Sequence, residues 1–418
     1  MYKKFSYQLL VISERLSAIR KYCLLFFVYC LLHTAYSAAQ PYYQTRVLYE
    51  KDIQTGASQI DKYLPLLKGK RVAVIANPTS LINGTHLVDT LLSLKVNIKK
   101  IFSPEHGFRG QADAGEQVNS GKDKKTGLSI ISLYGKHMKP AAADLADVDV
   151  LIYDIQDVGV RFYTYISTMS NCMEAAAENK KMFIVLDRPN PNGYFVDGPV
   201  LEPAFKSFLG MHPVPLVYGM TYGEYAKMVN GEGWLMNKIV CDLKVIPVIN
   251  YTHFDMYQLP VKPSPNLPNM KAVYLYPALG LFEGTIVSVG RGTDFPFQVI
   301  GHPDLKNTEF SFTPHPTDGA KTPKYDGQVC YGHDLRAFAD AFIKDSRQVY
   351  LLWLTGMYKQ LNKPDFFDEN FNYHAGNAKL QEQIKQGAPD AKIRQSWQAD
   401  ISKFKLIRKK YLLYKDFE

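Results

Sequence analysis

The sequence predicts an α/β protein in which a parallel sheet covered on both faces is followed by a smaller α/β domain. Three observations favour this fold class. From Arg71 onward short apolar strands alternate with helical patterns, three of the strands end in dense polar clusters, and a proline-rich stretch separates two regions of different spacing. Ligands bind beyond the carboxyl ends of the strands in an open parallel sheet. The polar clusters therefore predict a ligand crevice.

Hydrophobic spacing in the first region predicts the elements of the parallel sheet. Continuous apolar runs predict buried strands, and apolar residues three and four positions apart predict helices. The predicted strands cover residues 71–76, 98–102, 130–134, 148–153, 182–186 and 243–248. The predicted helices cover residues 84–95, 162–179 and 222–229, with Thr221 as the N-cap of the last.

Residues 259–269 contain four prolines, which prevent regular structure. This stretch marks the predicted boundary between a domain at 40–258 and a domain at 259–418. In the second domain the pattern predicts a strand at 325–330 and helices at 335–343, 348–361 and 403–413.

The first 39 residues have the features of a targeting segment. Basic residues up to Lys21 precede an apolar run at 23–32, and Ser37-Ala38-Ala39 supplies a small-residue cleavage site. The run is too short for a settled membrane span. We therefore expect a mature chain that begins at Gln40, is exported to the periplasm or the cell exterior and has no stable membrane span. Retention of the segment as an anchor is the alternative.

Composition narrows the function classes. The formal charge of +9 is scattered, without a Lys/Arg run interleaved with aromatics, so a nucleic-acid function has no support. Cys172, Cys241 and Cys330 are too few for a disulfide framework, and stability must come from a core. The 28 tyrosines are typical of sugar-binding clefts as well as of ordinary packing.

Several common catalytic motifs are absent from the sequence. It has no Walker loop, G-x-S-x-G elbow, H-E-x-x-H or paired C-x-x-C, and the G-x-G at 290–292 lacks the context of a dinucleotide site. Carboxylate chemistry or a metal remains. A metal site could be drawn from His106, Asp154 and Asp157, but no spacing is diagnostic of one. We therefore expect catalysis without a metal or cofactor.

Glu105 is the strongest single catalytic candidate. It follows the predicted strand at 98–102 in a turn shaped by Pro104 and Gly107. A carboxyl group that is partly desolvated in such a turn can act as a general acid near neutral pH. The alternative is a structural ion pair with Arg109 or His106.

The cluster after the predicted strand at 148–153 supplies Asp154, Gln156 and Asp157, and Arg161 opens the following helix. Backbone N–H groups at a helix start favour an anionic ligand, and an arginine can grip a carboxylate through two hydrogen bonds. In the alternative interpretation Asp157 is an N-cap and Arg161 neutralises it.

Two further groups complete the candidate set. Arg188 and Asn190 lie in a proline-rich loop after the predicted strand at 182–186, where they could bind several hydroxyl groups. Glu283 and Arg291 lie in glycine-punctuated sequence of the second domain and could close the crevice. Ordinary turns and solvated charges are the alternative.

These motifs together resemble a bacterial family long labelled a domain of unknown function (DUF1343) and now associated with exo-β-N-acetylmuramidases of the NamZ type. The resemblance runs from about Arg71 to the C-terminus. Its motifs are Ser103-Pro104-Glu105-His106-Gly107-Phe108-Arg109-Gly110, Tyr153-Asp154-Ile155-Gln156-Asp157-Val158-Gly159-Val160-Arg161-Phe162-Tyr163-Thr164-Tyr165, Asp187-Arg188-Pro189-Asn190-Pro191, Glu283-Gly284-Thr285 and Gly290-Arg291-Gly292-Thr293.

The resemblance implies a Rossmann-like domain and a smaller auxiliary domain with the active cleft between them. It also implies release of N-acetylmuramic acid from the non-reducing ends of peptidoglycan fragments, with Glu105 as the family's catalytic glutamate. One position departs from the family pattern, because Ile286 stands where an asparagine is expected.

The sequence thus predicts an exported glycoside hydrolase that acts on peptidoglycan-derived saccharides. A non-catalytic periplasmic binding protein for amino-sugar or cell-wall fragments is the alternative. The lactyl carboxylate of the substrate gives an arginine a role, with Arg161 expected first and Arg188 and Arg291 next. The predicted catalytic residues are Glu105, His106 and Asp154, and the predicted substrate-binding residues are Arg161, Tyr163, Gln156, Arg188, Asn190, Glu283 and Arg291.

Overall fold

The computed structural model describes residues 46–109, 120–306, 308–343 and 346–418. The predicted targeting segment at 1–39 lies outside the described residues. The strands are β1 (Val47–Leu48), β2 (Val72–Ala76), β3 (Leu81–Ile82), β4 (Thr85–His86), β5 (Ile98–Ser103), β6 (Gly121–Lys122), β7 (Ser129–Ser132), β8 (Val150–Asp154), β9 (Met182–Leu186), β10 (Asp242–Ile246), β11 (Met256–Tyr257), β12 (Val299–His302), β13 (Phe310–Phe312) and β14 (Cys330–Asp334).

The α-helices of the described residues are α1 (Ile60–Leu67), α2 (Leu87–Ser93), α3 (Tyr165–Glu178), α4 (Tyr222–Gly231), α5 (Met270–Leu279), α6 (Arg336–Phe338), α7 (Leu352–Leu361), α8 (Phe371–Ala375), α9 (Lys379–Lys385), α10 (Asp390–Gln395) and α11 (Gln398–Arg408). Shorter 3₁₀ turns include Gly280–Gly284, which directly follows α5. A π-helical turn at Ala339–Ile343 continues α6. Among the described residues, no helix is both long and apolar enough to cross a membrane.

The central sheet has the strand order β10-β9-β8-β2-β5-β7-β6. Every strand pairs in parallel except the edge strand β6, which runs antiparallel to β7. Numbered along the chain, the six parallel strands have the order 3-2-1-4-5-6 of a Rossmann fold. The predicted α/β class with a Rossmann-like parallel sheet is confirmed.

Both faces of the sheet are buried at β2, β8 and β9, which explains the continuous apolar runs of these strands. In β2, Val72, Val74 and Ala76 face a core cluster that also contains residues of α1 and α2. Ala73 and Ile75 point to the opposite face and join the larger cluster with residues of α3, α4 and the C-terminal helices. Helices therefore cover the sheet on both sides.

The C-terminal part of the chain has its own small antiparallel sheet, in the order β12-β14-β13. Before it, α5 begins after Asn269, whose side chain accepts a hydrogen bond from Ala272 N at 3.2 Å. This N-cap starts the helix directly after the irregular proline-rich stretch. Leu354 of α7, Leu380 of α9 and Ile401 of α11 all belong to the larger core cluster.

Two of the differences from the predicted elements in this C-terminal part have a local cause. The prediction of a strand at 325–330 is wrong, because the residues from Tyr325 form turns and the strand begins only at Cys330. Tyr325 has a φ of 63°, which an extended strand cannot accommodate. Helix α5 was not predicted, because Pro277 lies inside it and prolines precede it.

Candidate active site

A cleft of about 680 Å³ opens beyond the carboxyl ends of β5 and β7. That volume lies within the range of small-molecule sites. Glu105 follows β5 and Tyr134 follows β7, so two strand ends of the Rossmann-like sheet supply its floor. The remaining lining comes from residues 162–165 before α3, from the proline-rich stretch, and from C-terminal residues that include Tyr276, Glu283, Arg291, Lys324 and His374.

A tight turn presents Glu105 to this cleft. Gly107 N donates to the Pro104 carbonyl at 3.2 Å, and His106 has a φ of 69°, a left-handed conformation that is costly for a residue other than glycine. His106 itself is buried, with Nε2 3.5 Å from Ser264 Oγ in the proline-rich stretch. The hydrogen bond within the turn and the contact of His106 with Ser264 thus hold the strained turn in place, and Glu105 stays partly exposed.

Hydroxyl groups surround the Glu105 carboxylate. Thr164 Oγ1 donates to Oε2 at 3.4 Å, and the Tyr165 hydroxyl donates to the Glu105 carbonyl at 3.2 Å. Tyr134 lines the cleft together with Glu105. Burial raises the pKa of Tyr134, and the negative charge of Glu105 raises it further. These residues hold the Glu105 carboxyl group in the lining of the cleft.

A second carboxylate lines the same cleft. Arg291 donates from Nε and from Nη2 to Oε1 of Glu283, at 3.0 and 2.6 Å. Burial alone would raise the pKa of Glu283, but the charges of Arg291, His374 and Lys324 outweigh it and hold the pKa below its usual range. Glu283 is therefore ionised at neutral pH. Lys324 Nζ donates to the carbonyls of Glu283 and Thr285.

Tyr163 forms part of the cleft wall. Its hydroxyl donates to the Pro263 carbonyl at 2.8 Å, and its ring packs edge-on against Tyr165 and Tyr276, with centroids 4.8 and 6.1 Å apart. The structure therefore brings together five of the predicted residues: Glu105, His106, Tyr163, Glu283 and Arg291.

Asp154, predicted as catalytic, and Arg188, predicted to bind substrate, do not line this cleft. Arg188 Nε and Nη2 donate to the two carboxylate oxygens of Asp154 at 2.6 and 2.9 Å, and both side chains are buried. The cause is topological, because β8 and β9 are neighbours in the sheet and their ends meet. The pair satisfies itself, as a buried ion pair must.

Gln156 and Asn190 are also turned away from the cleft and hold loops instead. Gln156 Nε2 donates to the carbonyls of Asp157 and Pro189, at 2.9 and 2.7 Å. Asn190 Nδ2 donates to the Met220 carbonyl at 2.8 Å. Both amides are buried and use their hydrogen-bonding capacity on the backbone. The structure therefore does not bring these two predicted substrate-binding residues to this cleft.

Arg161 lies deep in the protein rather than in the crevice. Its Nη1 donates to the carbonyls of Pro199 and Val214, and its Nη2 to those of His374 and Ala375, all at 2.8 to 3.0 Å. Burial lowers the pKa of Arg161 to about 9. The prediction placed Arg161 at the crevice because of its position near a helix start, whereas its side chain turns back into the core.

The structure gives no grouping for a metal site in the parts of the chain that it describes. There, no three His, Cys, Asp or Glu side chains lie together in a way that could hold an ion. His106 lines the cleft, whereas Asp154 is bound to Arg188 and Asp157 accepts from Tyr218 and from Val158 N. The three residues considered for a metal thus have separate roles.

Sequence reasoning missed Tyr134, Thr164, Tyr276 and Lys324, which all line the cleft. Tyr134 could have been predicted from the sequence, because it is the last residue of the predicted strand at 130–134. Glu105 lies in a similar position, shortly after the predicted strand at 98–102. No sequence pattern around Lys324 indicates a site, because only the folding of the chain brings this residue to the cleft.

Comparison with known proteins identifies relatives over nearly the whole described chain. The family model described as exo-β-N-acetylmuramidase NamZ, N-terminal, matches residues 72–271, and the corresponding C-terminal model matches residues 274–414. The peptidoglycan β-N-acetylmuramidase NamZ of Bacillus subtilis strain 168 is 40% identical over 408 residues, which cover 90% of this chain and 95% of that protein.

Two crystal structures of DUF1343 family proteins from Bacteroides fragilis NCTC 9343 share the fold. One has a TM-score of 0.82 at 46% sequence identity, and the other a TM-score of 0.73 at 32% identity. Each match covers 87% of this chain and 99% of the other.

Proposed function

Because the chain belongs to the NamZ family of exo-β-N-acetylmuramidases and is a glycoside hydrolase of peptidoglycan, we propose that it releases N-acetylmuramic acid from the non-reducing ends of peptidoglycan fragments. We further propose that Glu105 is the catalytic carboxyl group. The observation that carries this role is the placement of Glu105 in the cleft, on a strained turn at a strand end, with Thr164 hydrogen-bonded to its carboxylate and Tyr134 in the same lining.

Glu105 would protonate the glycosidic oxygen as the bond to the leaving sugar breaks. Strain in the Pro104–Gly107 turn is tolerated where a functional group must be held in one position. The hydroxyl group of Thr164 helps to fix the rotamer of the carboxyl group. A fixed acid needs no reorganisation as the reaction proceeds.

The test is hydrolysis of a muramyl disaccharide, whose sugar leaving group needs a proton, by the wild-type protein and by Glu105→Gln. The amide keeps the shape of the side chain but has no proton to transfer, so kcat should fall by roughly 10² to 10⁴. Ligand affinity should stay within about tenfold, measured by calorimetry with a non-hydrolysed fragment. Full activity of a folded Glu105→Gln variant would remove Glu105 from the mechanism.

We propose in addition that the enzyme is exported, since residues 1–39 carry the basic, apolar and small-residue pattern of a targeting segment. Mass spectrometry of the protein from its native cell fractions tests this. A periplasmic or extracellular form that begins at Gln40 is the expected result, and a full-length form confined to the cytoplasm would refute export.

A further inference from the structure

The proposed role of Glu105 does not account for Glu283, a second charged carboxylate in the lining of the same cleft. Both carboxylates line the same cleft, although they come from chain segments on either side of the proline-rich stretch. Tyr276 lies close enough to both for each carboxylate to raise its pKa, after burial, which is the largest cause. The carboxylates therefore share one small space.

The segment that holds Glu283 is tightly fixed. It lies in the 3₁₀ turn Gly280–Gly284, where a Cβ on Gly280 would come within 2.2 Å of the Phe162 ring and a Cβ on Gly284 within 2.4 Å of the Phe371 backbone. Thr285 N donates to the Phe282 carbonyl at 2.9 Å and closes the turn. Groups held on rigid elements are suited to positioned chemistry.

The contacts of Glu283 also leave it able to act. Both bonds from Arg291 converge on Oε1, and neither involves Oε2. The side chain is about a quarter exposed, at 23%. An ionised carboxylate with one oxygen held by a guanidinium can direct its other oxygen at a positive centre.

We propose that Glu283 is the second catalytic carboxylate. As the glycosidic C–O bond breaks, Glu105 gives its proton to the leaving sugar oxygen and ionised Glu283 stabilises the positive charge that develops at the anomeric carbon. A water molecule forms the new bond to that carbon, and the proton that it loses returns to Glu105. The inference rests on the proposed function, because it assigns a partner to the acid of the same reaction. Glycosidases divide their chemistry in this way, with one carboxyl protonated and the other ionised. Arg291 is then a positioning residue that keeps Glu283 charged and oriented.

The two carboxylates should differ in their dependence on the leaving group. An aryl glycoside with a good leaving group needs little help from an acid, whereas charge stabilisation is needed for every substrate. We expect Glu105→Gln to lose much more activity on a muramyl disaccharide than on the nitrophenyl muramide. Glu283→Gln should lose at least about 10²-fold in kcat on both.

The matched control is Glu232→Gln, because Glu232 is 20% exposed, pairs with Lys410 and does not line the cleft. It should keep kcat within about twofold. Thermal unfolding of each variant checks the fold. If Glu283→Gln does not fold, Glu283→Asp replaces it, and a carboxylate displaced by roughly 1 Å should still cost 10-fold or more.

Activity of folded Glu283→Gln within about tenfold of wild type on the nitrophenyl substrate would overturn the proposal. Wild-type activity of folded Glu283→Asp on both substrates would do the same. A wild-type protein inactive on both muramyl substrates would instead count against the proposed function, so the two failures are distinguishable.

Discussion

Lys324 and Arg291 bring positive charge to the cleft that holds Glu105. Arg291 is already paired with Glu283, whereas Lys324 Nζ donates to two backbone carbonyls. N-acetylmuramic acid carries a lactyl carboxylate that N-acetylglucosamine lacks. Arg161 and Arg188 are buried away from the cleft, whereas Lys324 and Arg291 line it. We infer that Lys324 contributes to that recognition.

We predict that Lys324→Met lowers kcat/KM for the muramyl glycoside several-fold and leaves the glucosaminyl glycoside unchanged. The effect corresponds to the roughly 1 kcal/mol upper range for exposed ion pairs, because Lys324 is exposed. It should shrink as salt is raised, through screening. Lys324→Arg, which keeps the charge, is the control. An equal loss on both sugars would show that Lys324 shapes the cleft rather than reads the carboxylate.

Asp157 is a buried carboxyl group outside the cleft with a distinct effect on stability. Burial raises its pKa to about 6, although bonds from Tyr218 and Val158 N oppose the shift. In the unfolded chain it titrates near the ordinary value of 3.8. The folded state therefore holds this proton between about pH 4 and 6 while the unfolded state has lost it. Stability from this group is fully present below pH 4 and is lost as pH rises through 6.

Asp157→Asn has no proton to lose, so its stability difference from wild type should depend on pH. We expect the wild-type advantage to fall by about 3 kcal/mol between pH 4 and pH 7, on the scale of 1.36 kcal/mol per pKa unit. Urea denaturation of both proteins at several pH values measures it. Other carboxyl groups cancel in the difference. Parallel stability curves for the two proteins would show that Asp157 titrates normally in the folded state.

At the scale of elements, the segment after α11 ties the C-terminus to the Rossmann-like sheet. Tyr414 donates to Asp187 Oδ2 at 2.5 Å and accepts from Val248 N at 2.9 Å. Burial raises the pKa of Asp187 to about 6, and the bond from Tyr414 is the largest contribution that opposes this. The segment thus compensates a costly buried carboxyl group at the end of β9.

Tyr414→Phe should therefore destabilise the protein by about 1 to 3 kcal/mol, since it leaves Asp187 short of a donor in a buried site. Tyr411→Phe is the matched control in the same segment, because the Tyr411 hydroxyl bonds Glu232 in a more exposed setting. Chemical unfolding compares the two. An effect of Tyr414→Phe no larger than that of Tyr411→Phe would show that the segment only covers the sheet.

The same scale shows which elements a sequence reveals. Strands β2, β8 and β9 were predictable because both faces are buried, so their apolar runs are continuous; β5 was predictable although Lys99 and Lys100 interrupt its apolar residues. The short β12 to β14 contain glycines, polar residues or exposed positions, and give no such run. Helix α5 was not predicted because it contains Pro277, although Asn269 before it is a recognisable N-cap residue.

For the molecule as a whole, the sequence locates the strand ends but not the partners of the side chains there. Glu105 was predictable because a turn at a strand end presents it locally. The positions of the Arg188 and Arg161 side chains depend on contacts with residues that lie 34 and more than 200 positions away in the chain, respectively. Such pairings follow from strand order and from the packing of distant segments, which local patterns do not encode.

Arg161 shows this long-range dependence most clearly, because it joins distant parts of the chain. Its guanidinium binds carbonyls of Pro199 and Val214 on one side and of His374 and Ala375 on the other. The neighbouring Gly376 leaves room for it, since a Cβ there would lie 2.4 Å from Nη2. The buried cation therefore links the sheet domain to the C-terminal helices.

We predict that Arg161→Met lowers the free energy of unfolding by more than about 3 kcal/mol, because four buried carbonyls lose their donors at about 1 to 3 kcal/mol each. Arg71→Met, which breaks the half-exposed pair with Asp149, should cost less than about 1 kcal/mol and serves as the control. The folded Arg161→Met protein should keep the wild-type ratio of kcat/KM for muramyl and glucosaminyl glycosides, since Arg161 does not reach the cleft. Urea unfolding and kinetics on both sugars separate the two roles. A changed sugar preference at unchanged stability would return Arg161 to the substrate site.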